Sequence, residues 1–133
     1  MQIESLLGLI GLARRAGKLS VGEALTAEAV AAGRARAIFL AHDAGEATKR
    51  KVMRHDVRVP VFQVPCDKQT LGKAVGFAGC AVCAMHDVGM AEAAAKKLSE
   101  VSPENAQAAK RVSEKKSHID SRKGLKKDKK SRG

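Results

Sequence analysis

Ile3, Leu6, Leu7 and Ile10 fall at the i, i+3, i+4, i+7 spacing of a helix with one apolar stripe. Gly8 and Gly11 weaken that helix by about 1 kcal/mol each relative to Ala, and Gly17 stands where a left-handed residue closes it. The period then changes. Lys18 to Val21 reads as a short extended piece, and a second helix runs from Gly22 to about Ala32, stopping at Gly33. The run AIFLA, Ala37 to Ala41, is apolar at every position, as a strand covered on both faces would be. A third helix is predicted over Glu46 to His55. A strand follows over Val59 to Val64, with Pro60 near its start, where a missing N–H does least harm. Asp67 to Val75 reads as a short helix closed by Gly76, Cys80 to Met85 as a strand, and Asp87 to about Leu98 as a helix.

Helices alternating with short apolar strands predict an α/β sandwich around a mixed, largely parallel sheet. Pro103 interrupts the pattern. Residues 1–100 therefore read as one domain, and 101–133 as an appended segment: a short Ala-rich helix to about Val112, then a tail. From Ser113 onward low hydrophobicity and dense charge predict disorder.

Charge narrows the classes of partner. The net charge is +11, and the last 21 residues hold nine Lys/Arg against three Asp/Glu. A small basic chain of this kind meets nucleic acid or an anionic membrane. No apolar run approaches the eighteen or so residues of a membrane-spanning helix, and the N-terminus lacks a signal-peptide pattern. Three cysteines without a secretory signal point to reduced thiols in a cytoplasm.

Aromatic content excludes one way of holding RNA. There is no Trp or Tyr and there are three Phe, of which Phe39 and Phe62 lie in apolar strand-like runs. Modules that stack several bases on an exposed sheet need more aromatics than that. RNA binding here must use backbone contacts and loop shape.

The stretch ARRAGKLSVGEAL sets Arg14, Arg15 and Lys18 around the start of the second helix at Gly22. A helix N-terminus offers unpaired N–H groups and a positive dipole end, which suit an anion. Cations beside it suit a phosphate. Ordinary helix-end electrostatics also places Arg14 and Arg15 at a helix C-terminus, though it does not account for Lys18.

Other motifs carry less. Cys80 and Cys83 match C-x-x-C, but in a strand residues three apart point to opposite faces, so their thiols are not expected to meet. With Cys66 they make three candidate metal ligands at no zinc spacing, and buried structural cysteines are the expected role. His42-Asp43 and His86-Asp87 each follow a strand and precede a helix, which in a parallel sheet would put them on one side. Asp43 and Asp87 are expected to cap the following helices. No metal, cofactor or catalytic site is expected.

The order of these elements and several of their words resemble one family. They are the LLGLARRAGKL-like opening, the Gly-led second helix ending AGRARAIFLA, the strand end HDAGEATKRKV, and LGKAVG before the last strand. The chain resembles the kink-turn-binding ribosomal-protein superfamily (the L-seven-Ae and L-thirty-e group), in its small bacterial YlxQ-type branch, over about residues 2 to 98. The resemblance implies a three-layer α/β/α sandwich and a non-enzymatic RNA-binding role near the translation apparatus. It places RNA against the helix start Gly22, Glu23, Ala24 and Leu25, with Glu28 one turn on, and against the loop Gly76, Phe77, Ala78 and Gly79. Kink-turn binders carry an Asn-Glu pair, which reads sheared G·A pairs, where this chain has Ala24-Leu25. They carry a phosphate-binding Lys where it has Glu28. These departures predict a weak kink-turn preference.

The expectation is a cytoplasmic, non-catalytic RNA-binding protein associated with ribosomal RNA or ribosome assembly, without cofactor or membrane. Its RNA surface comprises Arg14, Arg15, Lys18, the Gly22 helix start and the Phe77 loop. The first rival is a protein-interaction module of the same fold whose basic tail alone touches RNA. The second is an enzyme working at the His-Asp strand ends.

Overall fold

AIFLA forms the middle of the molecule because no residue in it tolerates water. All five side chains of β2 (Ala37–Ala41) are buried in the computed structural model, which describes the backbone of residues 2–132 and the side chains of residues 3–122. The other strands are β1 (Leu19–Val21), β3 (Val61–Val64) and β4 (Val82–Met85), in the sheet order β1-β4-β2-β3. The helices are α1 (Gln2–Arg15), α2 (Glu23–Ala31), α3 (Glu46–Met53), α4 (Lys68–Val75), α5 (Val88–Val101) and α6 (Ala106–Arg132).

Strand alternation splits the interior in two. Phe39, Phe62, Cys83 and Met85 face one core with Leu6, Ile10, Leu71 and Leu98, from α1, α4 and α5. Ile38, Leu40, Val82 and Ala84 face the other with Ala29 and Val52, from α2 and α3. The result is the expected three-layer α/β/α sandwich around a mixed sheet. Phe39 and Phe62 stack at 5.5 Å inside the first core. In α1, Gly11 has a packing role that offsets its poor helix propensity, since a Cβ there would stand 2.8 Å from the Ala74 carbonyl oxygen.

The sheet is not largely parallel. Only β2 and β3 run parallel, while β4 is antiparallel to both of its neighbours, β1 and β2. The cause is a short connection that doubles back. The Cys80 amide donates to the Lys68 carbonyl at 2.9 Å, fastening the end of the loop after α4 to the start of that helix. The chain therefore enters β4 from the end of the sheet at which it left β3.

The exposed edge of β3 is sealed by side chains. Asn105 accepts from the Gln63 amide and donates to the Gln63 carbonyl, both at 2.9 Å, standing in for a neighbouring strand. Asp56, from a 3-10 turn over Arg54–Val57, accepts from the Val61 amide at 3.1 Å and from Arg111 Nη1 at 3.1 Å. An unpaired edge invites pairing with another chain. Asn105→Ala is expected to destabilise the fold by about 1–3 kcal/mol, because it strands two partly buried backbone groups. Differential scanning calorimetry should show the thermal midpoint falling by several degrees, and an unchanged midpoint would mean that water replaces the amide.

The expected boundary near residue 100 has no counterpart in the packing. A 3-10 turn over Pro103–Asn105 carries Asn105 to the sheet edge, where it is 2% exposed, and α6 then packs along α5 with Val112 1% exposed. The expected disorder from Ser113 is likewise replaced by helix, since α6 continues to Arg132. Low hydrophobicity argues against a core, not against a helix. Lys, Arg and Glu are good helix formers, and the i, i+4 pair Lys116–Asp120 adds to them.

Candidate nucleic-acid interface

Val21 ends β1, and the chain must turn sharply to lay α2 over the sheet. Gly22 makes that turn at φ 97° and ψ 164°, a conformation that L side chains rarely adopt, and its amide donates to the Val82 carbonyl at 2.9 Å. No side chain caps α2, so its first N–H groups face outward without an intramolecular side-chain partner. The bond to Val82 places this helix start beside the end of the loop before β4.

That loop is moulded on α4. Gly76 closes the helix in the left-handed region at φ 81°, and the Phe77 amide donates to the Gly72 carbonyl at 2.8 Å. A Cβ at Gly72 would stand 2.7 Å from Gly79 Cα and 2.8 Å from the Phe77 oxygen. Gly72 therefore sets the loop's position, a role that sequence reasoning missed although Gly72 lies inside the LGKAVG word. Phe77 is left 45% exposed, and the Arg14 guanidinium sits 5.5 Å from its ring centroid. Helix side chains lean toward the N-terminus, which lets Arg14 reach from the last turn of α1 to this loop.

The sequence-predicted residues divide. Gly22, Ala24, Leu25, Phe77, Ala78, Gly79 and Arg14 belong to the helix start and the loop, with Ala24, Leu25, Ala78 and Gly79 exposed. Leu25, at 51% exposure, is an apolar side chain held in water on the first turn. Glu23 is turned toward α3, where it pairs with Lys51 at 3.5 Å and accepts from Thr48 Oγ1 at 3.4 Å. Glu28 lies 4.0 Å from Arg34, an exposed pair of little energetic weight. Arg15 borders a groove between α1 and α4 with Thr70 and Lys73.

Lys18 does not join the helix start. It precedes β1 while Gly22 follows it, so the two are separated by the length of that strand, roughly 13 Å over four extended residues. Its carbonyl accepts from the His86 amide at 2.8 Å, at the far end of β4. Proximity in sequence did not survive the strand between them.

Two other expectations are corrected. β4 begins at Val82, so Cys80 lies in the loop, where its thiol donates to the Val82 carbonyl at 3.3 Å and comes close enough to Cys83 for the two to perturb each other. The neighbouring Cys83 thiol lowers the Cys80 pKa, while Cys80 and burial raise that of Cys83. Burial, with Asp67 and Asp43 nearby, pushes the Cys66 thiol up to about 11. All three are free, buried cysteines. Because β2 and β4 are antiparallel, His42-Asp43 and His86-Asp87 lie at opposite ends of the sheet and form no joint site. Asp87 caps α5 as expected, accepting from the Met90 amide at 2.9 Å. Asp43 does not cap α3; it accepts from the Lys68 amide at 2.8 Å, at the start of α4.

The profile of the Ribosomal protein L7Ae/L30e/S12e/Gadd45 family matches residues 4–95. The chain belongs to that family. Within it, the chain is 45% identical over 60 residues to an Enterococcus faecium protein named RNA-binding protein YlxQ, a match covering 45% of this chain and 55% of that protein. The matched segment thus spans about half of the curated relative's length. A structure of a protein of unknown function from Bacillus halodurans is similar at 34% identity and a TM-score of 0.65, covering 70% of this chain and 95% of that one. The Giardia lamblia 15.5kD RNA binding protein shares the fold at 18% identity and a TM-score of 0.59, covering 76% and 88%. Among the described residues, no helix of this L7Ae-family chain is long and apolar enough to cross a membrane.

Proposed function

We propose that this chain is a non-catalytic RNA-binding protein that receives RNA at the start of α2 and on the Phe77 loop. The observation that carries the reading is the half-exposed Phe77 ring under the Arg14 guanidinium, set on a glycine loop beside the uncapped N-terminus of α2. A half-exposed aromatic ring takes a base, an arginine takes a phosphate, and helix N–H groups take another. The RNA-binding name of the Enterococcus relative supports the same partner. The proposal includes a cytoplasmic role near the ribosome, on ribosomal RNA or with assembly proteins, in keeping with the family. The proposed surface comprises Arg14, Gly22, Ala24, Leu25, Phe77, Ala78 and Gly79.

The double variant Arg14→Ala/Phe77→Ala removes both a stacking face and a phosphate contact. Base stacking alone is worth about 1–3 kcal/mol, so filter binding to a structured RNA should show a loss on the order of tenfold or more, with folding intact by circular dichroism. Exposed Leu25, where the family pattern has a carboxylate, favours a second reading in which this surface docks a protein. Unchanged RNA affinity in the double variant would support that reading instead.

A further inference from the structure

The end of the sheet opposite the start of α2 carries a row of basic side chains with no part in the proposed surface. Leu19, Met85 and Ala37 are register partners across β1, β4 and β2, and Ile38 pairs with Val61 of β3. One residue further out, this end therefore presents Lys18, His86 and Arg36 side by side, with Arg58 just before Val59 and Pro60 on the last strand. The amide of His86 bonds to the Lys18 carbonyl and that of Arg36 to the Met85 carbonyl, both at 2.8 Å, which holds the row in place. Neighbouring strands lie about 4.8 Å apart, so the row is roughly 14 Å long. Beyond Arg36 it opens into a cleft of about 410 Å³, to which Arg36, Arg58, Arg111 and Lys115 all contribute and no carboxylate does.

We infer that this row is a second RNA contact, one that holds the phosphodiester backbone without reading bases. The inference rests on the RNA-binding function proposed above. Four features favour phosphates. Arg34 sits beside Lys18 and His86, and the two cations, after burial, lower the histidine's pKa, as a positive field would. Three of the carboxylates nearby are already engaged: Glu28 by Arg34, Asp56 by Arg111, and Asp87 by the Met90 amide. No ion pair among the described residues involves Lys18, Arg36, Arg58 or Lys115. No phenylalanine lies in the row, and Phe39 and Phe62 are buried in the core. A row of this kind positions a nucleic-acid backbone and carries no sequence information. The row and the start of α2 lie at opposite ends of β1, which separates the two contacts.

The test uses the full chain, with a structured hairpin RNA and polyuridylate as probes. Arg58 and Lys115 are exposed, so Arg58→Gln/Lys115→Gln should leave the fold intact. Each phosphate contact adds roughly 0.7 to 0.9 to the slope of log affinity against log salt. The double variant should therefore lose about 1.4 to 1.8 from that slope on both RNAs, while the ratio of the two affinities stays as in the wild type. Independently of any variant, hairpin RNA should slow acylation of Lys18 and Lys115 in the wild-type chain. Wild-type binding with an unchanged slope in the variant, or with neither lysine protected, overturns the second contact and leaves the first standing. Preferential binding of polyglutamate, lost in the double variant, overturns it in favour of an acidic protein partner. Failure of the wild type to bind either RNA brings down the proposed function, and this inference with it.

Discussion

Removing residues 113–133 is expected to flatten the salt dependence of RNA binding more than any point substitution can. The segment carries nine cations against three carboxylates. If four to nine of those cations meet phosphates, the slope of log affinity against log salt falls by about 3 to 8. The cut leaves Val112 in the core and Asn105 on the edge of β3, so the body keeps its packing. Selectivity between a structured and an unstructured RNA should survive, because contacts to phosphate carry no sequence information. Salt titrations of the full and truncated chains against two such RNAs make the measurement. Truncation that erased selectivity while sparing the slope would put the reading surface on α6. A truncated chain that bound no RNA would make the body a protein-interaction module, with the basic extension as its only contact to RNA.

Why the sequence exposed some of this and hid the rest follows from the range over which each force acts. The strands β2 and β3 were readable because AIFLA is apolar on both faces and VPVFQV is a short, mostly apolar run, both local properties. Strand direction was not, because alternation of helices and strands fixes the period and not the end of the sheet at which each connection returns. A single long-range bond, Cys80 to Lys68, decides that for β4. The same reversal sent the two His-Asp pairs to opposite ends and left Cys80 outside the strand, with its thiol bonded to the Val82 carbonyl and beside Cys83.

The edge seal was equally hidden. Asp56, Asn105 and Arg111 are scattered along the chain, and nothing in their neighbourhoods signals that they meet at β3. Phe77, by contrast, was legible as the one phenylalanine outside a strand, flanked by glycines. Its exposure and its contact with Arg14 follow from that loop. Lys18 shows the limit of reading by proximity: three residues of strand are enough to carry it from the proposed surface to the row at the other end.

The second large effect is a gain. Ala24→Asn, Leu25→Glu and Glu28→Lys, made together, are expected to raise the preference of this chain for a kink-turn RNA over a plain duplex on the order of 10- to 100-fold. The three positions sit on the outward face of the first turns of α2, exposed to solvent. Replacing them removes no core contact and breaks only the weak exposed pair of Glu28 with Arg34. The helix start already offers unpaired N–H groups and a glycine that lets a backbone approach. An amide and a carboxylate there would supply contacts to base edges, each worth about 1–3 kcal/mol of discrimination when well formed. A lysine one turn on would replace repulsion of phosphate with attraction. Losing exposed Leu25 also takes an apolar side chain out of water, so the variant should fold at least as well as the wild type. Competition binding with the two RNAs, run on both proteins, gives the ratio directly. A wild-type chain that already bound the kink-turn tightly and selectively would show that the missing pair is not what decides recognition. A triple variant with no gain would move the RNA surface away from the start of α2, leaving Phe77 and Arg14 to hold it alone.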